Sequence, residues 1–414
     1  MKTTSLILLL FFALLSPACE KKDNKPTDMK PVDLTEKQKA LISESNAFGF
    51  EFFKKITSAS GVNNNMMVSP LSVNMALGMT RNGAVSSTLK AMTDVLGFGQ
   101  MSDLEINSSY KYLLETFSAL DPKVKVAIAN SIWCRNTFSV EPAFIETNKT
   151  YFDAEVTPLN FSDPASVKTI NNWVSSKTNN LIPKIIEAIP SEVVMYLINA
   201  VYFKGQWKYQ FETKNTENRN FTLASGETIQ AESMLTRADL NYYAGDGFEA
   251  VEMPYNQGNY TMTVILPAKN SSVAQTVNKL SQEQYNNWLK NFVSTDIQIQ
   301  LPKFKFSYDE KAMIPVLTAM GMGVAFDPIH ADFTRINADG NLYISEVKHK
   351  TFIETNEEGT EAAAVTSVAV GVTSIGPGYQ PRNFVVDRPF LFFINEKATG
   401  TILFIGVVSN PLNN

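Results

Sequence analysis

The most constraining feature of this sequence is a long uncharged segment near its carboxyl end. No Asp, Glu, Lys or Arg occurs from Ala362 to Pro381, and Val, Ala, Thr, Ser and Gly prevail until the turn-like Gly376-Pro377-Gly378. β-Branched residues favour extended strands, but a flat, uncharged strand that stays exposed invites edge pairing and aggregation. We therefore expect a loop that is held outside the folded body and can enter a β-sheet.

The composition is that of a folded globular chain. Of the 414 residues, 44% are hydrophobic and 19% are charged, and the formal net charge is −5, which gives no indication of a nucleic-acid partner. Only two cysteines and two histidines are present. Because a structural zinc ion needs four N or S ligands at characteristic spacing, we expect no metal site, and no cofactor motif is found.

Residues 1–18 have the pattern of an export signal. Met1-Lys2 is positively charged, Leu6–Leu15 is apolar, and the small residues Ser16-Pro17-Ala18 precede Cys19. This arrangement resembles a bacterial lipobox, whose cysteine is lipid-modified after cleavage. We expect an exported lipoprotein of the outer membrane or cell surface, attached to the membrane through this anchor only. Plain cleavage and secretion is the alternative.

The rest of the chain divides into a tether and one domain. Residues 19–35 are polar and aperiodic, which predicts a flexible tether, and residues 36–414 form the domain. Helices are predicted where Leu41, Phe48 and Phe52 share a face and after Ser69-Pro70, a strong helix start. Strand patterns follow at Tyr260–Leu266, Ile297–Leu301, Thr351–Thr355, Phe384–Val386, Leu391–Asn395 and Thr401–Val408. Helices early and strands late indicate an α+β fold.

Seven stretches, in this order and at this spacing, resemble the serpin family from about Leu34 to Pro411. They are Val68–Ser72, Ala129–Trp133, Ile170–Ile182, Asn199–Trp207, Gly359–Ala364, Asp387–Phe393 and Leu403–Pro411. The resemblance implies an α+β domain with three β-sheets, about nine helices and an exposed reactive-centre loop near the carboxyl end. It also implies a monomeric protease inhibitor, not an enzyme. The target cleaves the loop and forms an acyl-enzyme, and loop insertion into the central sheet then distorts the protease.

The resemblance places the hinge of that loop at Glu357, Gly359, Thr360, Glu361, Ala362, Ala363 and Ala364. Successive strand residues face opposite sides of a sheet, and the inward-facing set begins at Thr360 and continues through Ala362 and Ala364. Small inward-facing side chains permit insertion, so an inhibitor is expected. The alternative is a non-inhibitory carrier or chaperone, whose relatives tend to have bulky, charged or proline residues in the hinge.

Counting from Glu357 as in the family places the cleaved bond between Thr373 and Ser374. The segment from Ser374 to Arg388 is longer than usual, so three neighbours remain as alternatives for the cleaved residue: Val370, Val372 and Ile375. No Lys or Arg lies near these residues, which disfavours a trypsin-like target. We expect a serine protease of elastase-like or subtilisin-like specificity, and a papain-like cysteine protease is the alternative.

Two polar groups of the family also have matches. The shutter, a buried cluster under the opening sheet, corresponds to Ser69, Ser72, Asn199 and His349. The breach, where the loop first enters, corresponds to Trp207, Lys303 and Glu357, and we expect an ion pair between Lys303 and Glu357. His349 can equally be read as a hydrogen-bonded core histidine, and no catalytic role is expected for it.

Overall fold

The computed structural model describes residues 31–361 and 380–413. These ranges contain nine α-helices: α1 (Glu36–Ser60), α2 (Pro70–Arg81), α3 (Ser86–Leu96), α4 (Asp103–Ala119), α5 (Pro142–Phe152), α6 (Ala165–Lys177), α7 (Val273–Asn278), α8 (Gln282–Asn291) and α9 (Met313–Leu317). Within the same two ranges, no helix is both long enough and apolar enough to cross a membrane. The expected signal segment, Cys19 and most of the tether lie outside the described residues.

Fifteen strands complete the described architecture. They are β1 (Met66–Val68), β2 (Val124–Arg135), β3 (Ala154–Leu159), β4 (Met195–Gln206), β5 (Glu217–Thr222), β6 (Thr228–Gly245), β7 (Phe248–Tyr255), β8 (Tyr260–Pro267), β9 (Val293–Pro302), β10 (Phe304–Glu310), β11 (His349–Thr355), β12 (Gly359–Thr360), β13 (Arg382–Val385), β14 (Phe390–Glu396) and β15 (Ile402–Val408). Each strand predicted from the sequence overlaps one of these, and the α+β fold class is confirmed.

Local sequence explains the starts of the first two helices. The Thr35 hydroxyl accepts a hydrogen bond from the Gln38 N–H, and the Gln38 side chain accepts one from the Thr35 N–H, which forms a capping box. Helix α1 therefore begins at Glu36, where the predicted tether ends. The Ser69 hydroxyl caps α2 by accepting a hydrogen bond from the Ser72 N–H, and Pro70 occupies the first turn of this helix.

The hydrogen bonding of the described strands forms two sheets, whereas three were expected. The larger sheet has nine strands in the order β1-β15-β14-β8-β7-β6-β9-β13, with β5 beside β6. The 18-residue β6 pairs with β5 and β9 along most of its length and with β7 at its end. Because β6 pairs with β5 and β9 and then with β7, it joins strands that were expected to form two sheets into one.

The smaller, six-stranded sheet has the order β10-β11-β12-β4-β2-β3. Its inner face belongs to the main hydrophobic core, which it shares with α1 and α2. Its outer face is covered by α6 and the connection 178–194, where a second cluster includes Trp133, Trp173, Ile182 and Ile198. Both faces of the central strands β2 and β4 are therefore in contact with protein, and the short β12 lies in the middle of this sheet.

Candidate functional site

Two residues of the hinge are already part of the six-stranded sheet. Gly359 and Thr360 form β12 between β11 and β4, where Thr360 pairs with Thr355 on one side and with Gly205 on the other. A Cβ atom on Gly359 would lie 2.0 Å from the carbonyl oxygen of Gly205. Glycine is therefore required at this position, because the backbones of the two strands approach too closely for a side chain.

Thr360 faces the interior, as the alternation of a strand predicts. It is 3% exposed, and its hydroxyl lies 2.6 Å from the hydroxyl of Tyr255. Tyr255 is fully buried and stacks on Trp207, with ring centroids 4.4 Å apart. Burial raises the pKa of Tyr255 well above its ordinary value of 10.0, so the phenol is neutral. The position holds a small hydroxyl, and a charge placed there would be buried beside a neutral phenol.

The predicted breach residue Trp207 holds the turn that leads into the hinge. Its indole Nε1–H donates to the carbonyl of Asn356 at 3.0 Å, and its backbone N–H donates to the carbonyl of Glu358 at 2.8 Å. The N–H of Phe211 donates to the carbonyl of Glu357 at 3.0 Å. The residues that precede β12 are thus fastened to the segment that follows β4.

The expected ion pair of the breach is present. Lys303 Nζ lies 3.4 Å from Glu357 Oε1, and the Lys303 and Glu357 side chains are 33% and 11% exposed. Glu357 also accepts a hydrogen bond from the Thr216 hydroxyl at 2.9 Å, and Lys303 lies 3.6 Å from a carboxylate oxygen of Glu232. Glu357 is therefore held by a cation and a hydroxyl together.

Three of the four predicted shutter residues are joined by hydrogen bonds. The backbone N–H of Ser69 donates to Nε2 of His349 at 3.0 Å, and the N–H of Ser72 donates to the Ser69 hydroxyl at 3.2 Å. Burial lowers the pKa of His349 from 6.5 to about 4. The imidazole is consequently neutral near pH 7 and acts as a hydrogen-bond acceptor between β11 and the start of α2.

Asn199, the fourth predicted shutter residue, hydrogen-bonds to the neighbouring strand β2. Its Nδ2 donates to Oδ1 of Asn130 at 2.7 Å, and Asn130 Nδ2 donates to the carbonyl of Phe152 at 2.6 Å. Asn199 and Asn130 are directly opposite each other in the β4–β2 register, so their side chains meet. His349 lies at the start of β11, which is separated from the Asn199 strand β4 by β12 in the strand order.

A slot separates β4 from β11 below the hinge. Among the described strands, β4 and β11 are joined only through β12. A cavity of about 150 Å³ lies between β4 and residues 341–348, which precede β11. The Tyr196 hydroxyl reaches across and donates to Glu346 Oε2 at 3.3 Å. Side chains lining the cavity include Leu77, Ile198, Phe333, Ile336 and Ile344. An extended segment that follows β12 would enter between these two strands.

The remaining predicted residues of the loop lie outside the described residues. These are the hinge residues Ala362, Ala363 and Ala364, the predicted cleaved bond Thr373–Ser374, and the alternatives Val370, Val372 and Ile375.

Several residues at the site were not found by sequence reasoning. Asn130 lies inside the motif Ala129–Trp133, which resembles the family, but its hydrogen bond with Asn199 was not predicted. Tyr255 and Thr216 belong to no quoted motif. Their importance depends on contacts with residues more than a hundred positions away, and no local pattern indicates them.

Residues 43–411 of this chain match the family model described as Serpin (serine protease inhibitor). The chain belongs to the serpin family. The leukocyte elastase inhibitor of Xenopus tropicalis is 32% identical over 386 residues, which cover 90% of this serpin and 99% of that relative.

Solved structures agree with the assignment. The native state of the thermophilic serpin tengpin has 36% sequence identity and a TM-score of 0.81, with 93% of this chain and 97% of that chain covered. Human thyroxine-binding globulin complexed with its hormone has 25% identity and a TM-score of 0.82, with 91% and 99% covered. Serpins are mainly protease inhibitors rather than enzymes, but this hormone carrier shares the fold.

Proposed function

We propose that this serpin is a suicide inhibitor of serine proteases with small or aliphatic specificity, of the elastase-like or subtilisin-like kind. The observation that carries the proposal is the position of Gly359 and Thr360 between β11 and β4. The first inward-facing residue of the hinge is small and is already accommodated. Cleavage of the loop by a target would release its far end and let the rest follow into the slot.

Insertion can supply the energy that such a mechanism requires. About a dozen inserted residues, each gaining roughly 1 kcal/mol for its new backbone hydrogen bond, would release on the order of 10 kcal/mol. Burial of apolar side chains adds about 25 cal/mol per Å². The apolar lining of the slot, with Leu77, Ile198 and Ile344, suits the Val- and Ala-rich sequence of the loop.

The target class follows from the chemistry around Thr373 and Ser374. A trypsin-like pocket requires a cation in the substrate, and the loop carries no Lys or Arg from Ala362 to Pro381. Threonine, valine and isoleucine fit the smaller pockets of elastase-like or subtilisin-like enzymes. The similarity to the leukocyte elastase inhibitor supports the same class.

A carrier or chaperone function is the second candidate. It is favoured by the likeness to thyroxine-binding globulin. The hinge opposes it, because the inward-facing positions Thr360, Ala362 and Ala364 offer no bulky or charged side chain that would block insertion.

We further propose that the protein is exported and held at the cell envelope by a lipid on Cys19, and acts there as a monomer. The support is the sequence of residues 1–19, with its positive start, apolar run and small residues before the cysteine. Replacing Cys19→Ala is expected to move the protein from the membrane to the soluble fraction. Unchanged membrane fractionation of that variant would contradict the lipid anchor.

The inhibitory function is tested with the chain from residue 19 onward, carrying Cys19→Ala, and a panel of elastase-, subtilisin-, trypsin- and papain-type proteases. A covalent complex that survives a denaturing gel is expected with an elastase- or subtilisin-type enzyme. Mass spectrometry of the released peptide should place the cut at Thr373 or a neighbour. A complex with the papain-type enzyme alone would transfer the proposal to cysteine proteases. Cleavage without any complex would favour the carrier function.

A further inference from the structure

The backbone changes direction immediately after β12. Glu361 has φ of 52°, in the left-handed region that residues with a Cβ atom disfavour. Its N–H still donates to the carbonyl of Glu354 on β11 at 3.0 Å. The strand therefore ends at Thr360, and a non-glycine residue such as Glu361 holds this turn only if other contacts stabilise it.

Two side chains supply these contacts. Glu361 Oε1 accepts a hydrogen bond from Asn179 Nδ2 at 2.8 Å and a second from the Tyr202 hydroxyl at 3.0 Å. Tyr202 projects from β4, and Lys125 Nζ lies 5.3 Å from the centroid of its ring. The carboxylate is about half-buried, and its surroundings include Lys204. Glu361 is thus bound to the strand on one side of the slot and to a residue beyond the sheet.

Asn179 lies in the connection 178–194, which covers the outer face of the sheet. This connection contacts both sides of the slot. Its Ile182 packs in one cluster with Ile198 of β4 and with Phe352 of β11, and Lys350 of β11 donates through Nζ to the carbonyl of Lys184 at 3.2 Å. The bond from Asn179 to Glu361 therefore ties the hinge to the segment that bridges the two strands.

We propose that Asn179 and Tyr202 are positioning residues that arrest insertion of the uncleaved loop at Thr360. Further insertion requires Glu361 to leave the left-handed conformation that accompanies its hydrogen bonds with Asn179 and Tyr202. The two hydrogen bonds thus oppose premature insertion, in which the uncleaved loop enters the slot and the inhibitor is spent. This inference rests on the proposed inhibitory function, since only an inserting loop needs to be arrested.

The test uses the full mature chain with Asn179→Asp and, separately, Tyr202→Phe. The aspartate keeps the size of the side chain but places a second carboxylate beside Glu361, and the phenylalanine removes only the hydroxyl. The matched control is Asn180→Asp. Asn180 also has a left-handed backbone, and its Oδ1 accepts a hydrogen bond from the Ser175 hydroxyl at 3.0 Å, which an aspartate can preserve.

Each protein is incubated uncleaved at a temperature below its unfolding transition, and the fraction converted to a urea-resistant form is followed with time. An inserted strand adds backbone hydrogen bonds, so the converted form is more stable than the starting form. We expect Asn179→Asp and Tyr202→Phe to convert about five-fold faster than the unmodified chain, as expected from the loss of one hydrogen bond. Asn180→Asp should convert at the unmodified rate. A merely structural defect would lower resistance to urea instead.

Equal conversion rates in the unmodified chain and Tyr202→Phe would overturn the proposal. So would conversion of Asn180→Asp as fast as that of Asn179→Asp, because the effect would then come from general loosening of the connection. Failure of this inference can be distinguished from failure of the proposed inhibitory function. If the unmodified chain traps no protease, inhibition fails, whereas the conversion rates still report whether the hinge is held. If Asn179→Asp does not fold, Tyr202→Phe alone decides.

Discussion

The hydroxyl groups of Thr360 and Tyr255 lie 2.6 Å apart inside the six-stranded sheet. Thr360 belongs to the hinge of the loop, and Tyr255 ends β7 in the larger sheet. Because Tyr255 stacks on Trp207, this hydrogen bond connects the hinge to the breach. The starting position of the loop is thus set by a contact between the two sheets.

Replacing Tyr255→Phe is expected to loosen the hinge while keeping the aromatic stack. The buried hydroxyl of Thr360 would lose its partner, which destabilises the inserted position by about 1 kcal/mol. Hydrogen exchange of the Gly359–Glu361 amides should accelerate. Tyr260→Phe is the control, since the hydroxyl of that buried tyrosine donates to the carbonyl of Phe117. Unchanged exchange in Tyr255→Phe would contradict the connection.

Placing a charge at the first inward-facing position should convert the inhibitor into a substrate. Thr360→Arg would bury a guanidinium group beside the neutral, buried Tyr255, which costs desolvation energy. Insertion would slow, and the acyl-enzyme would hydrolyse before the protease is distorted. Gels should show cleaved serpin in place of covalent complex, whereas Thr360→Ser, which retains the hydroxyl, should still form complex. Full inhibition by Thr360→Arg would rule out the insertion mechanism.

Reversing the charge of Glu357 should weaken the contacts that hold the breach residues together. Glu357→Lys would lose the hydrogen bond from Thr216 and place a second cation near Lys303. We expect the free energy of unfolding to fall by about 1 kcal/mol, because Lys303 is partly exposed and solvent screens its pair with Glu357. Folding yield should fall and polymerisation on warming should rise. Asp94→Lys, in the exposed Lys90–Asp94 pair of α3, is the control. If both variants behave alike, the breach pair is an ordinary surface contact.

Acidification should destabilise the protein through His349. Its pKa is about 4 in the folded chain and 6.5 ordinarily, so the unfolded chain binds the proton first. The stabilising effect is complete above pH 6.5 and is lost as the pH falls from 6.5 to about 4, by about 3 kcal/mol in total. Urea unfolding at several pH values measures this loss.

The matched histidine variants identify the source of that pH dependence. His349→Gln should remove most of the slope between pH 6.5 and 4. His330→Gln, at an exposed position beside Asp327, should retain it. A slope that persists in His349→Gln would assign the effect to carboxylates.

Sequence prediction succeeded where structure depends on neighbours in the chain. The predicted cap at Ser69 starts α2 through a hydrogen bond from the N–H of Ser72, three positions away. The strands predicted from local apolar patterns are present in the fold. By contrast, local patterns did not predict β2 and β4 as strands. Each contains an asparagine, Asn130 or Asn199, that interrupts its apolar sequence, and the two side chains find each other only when the strands pair.

The sequence by itself determined the prediction that this loop can enter a sheet, because that capacity depends on the size and charge of consecutive side chains such as Thr360. Only the tertiary structure decided where the hinge strand β12 ends. Glu361 meets Asn179 and Tyr202, which are 182 and 159 positions away in the chain. Such partners are brought together by strand register and by the packing of the connection 178–194. No local pattern encodes these relationships, since each depends on the whole fold having formed.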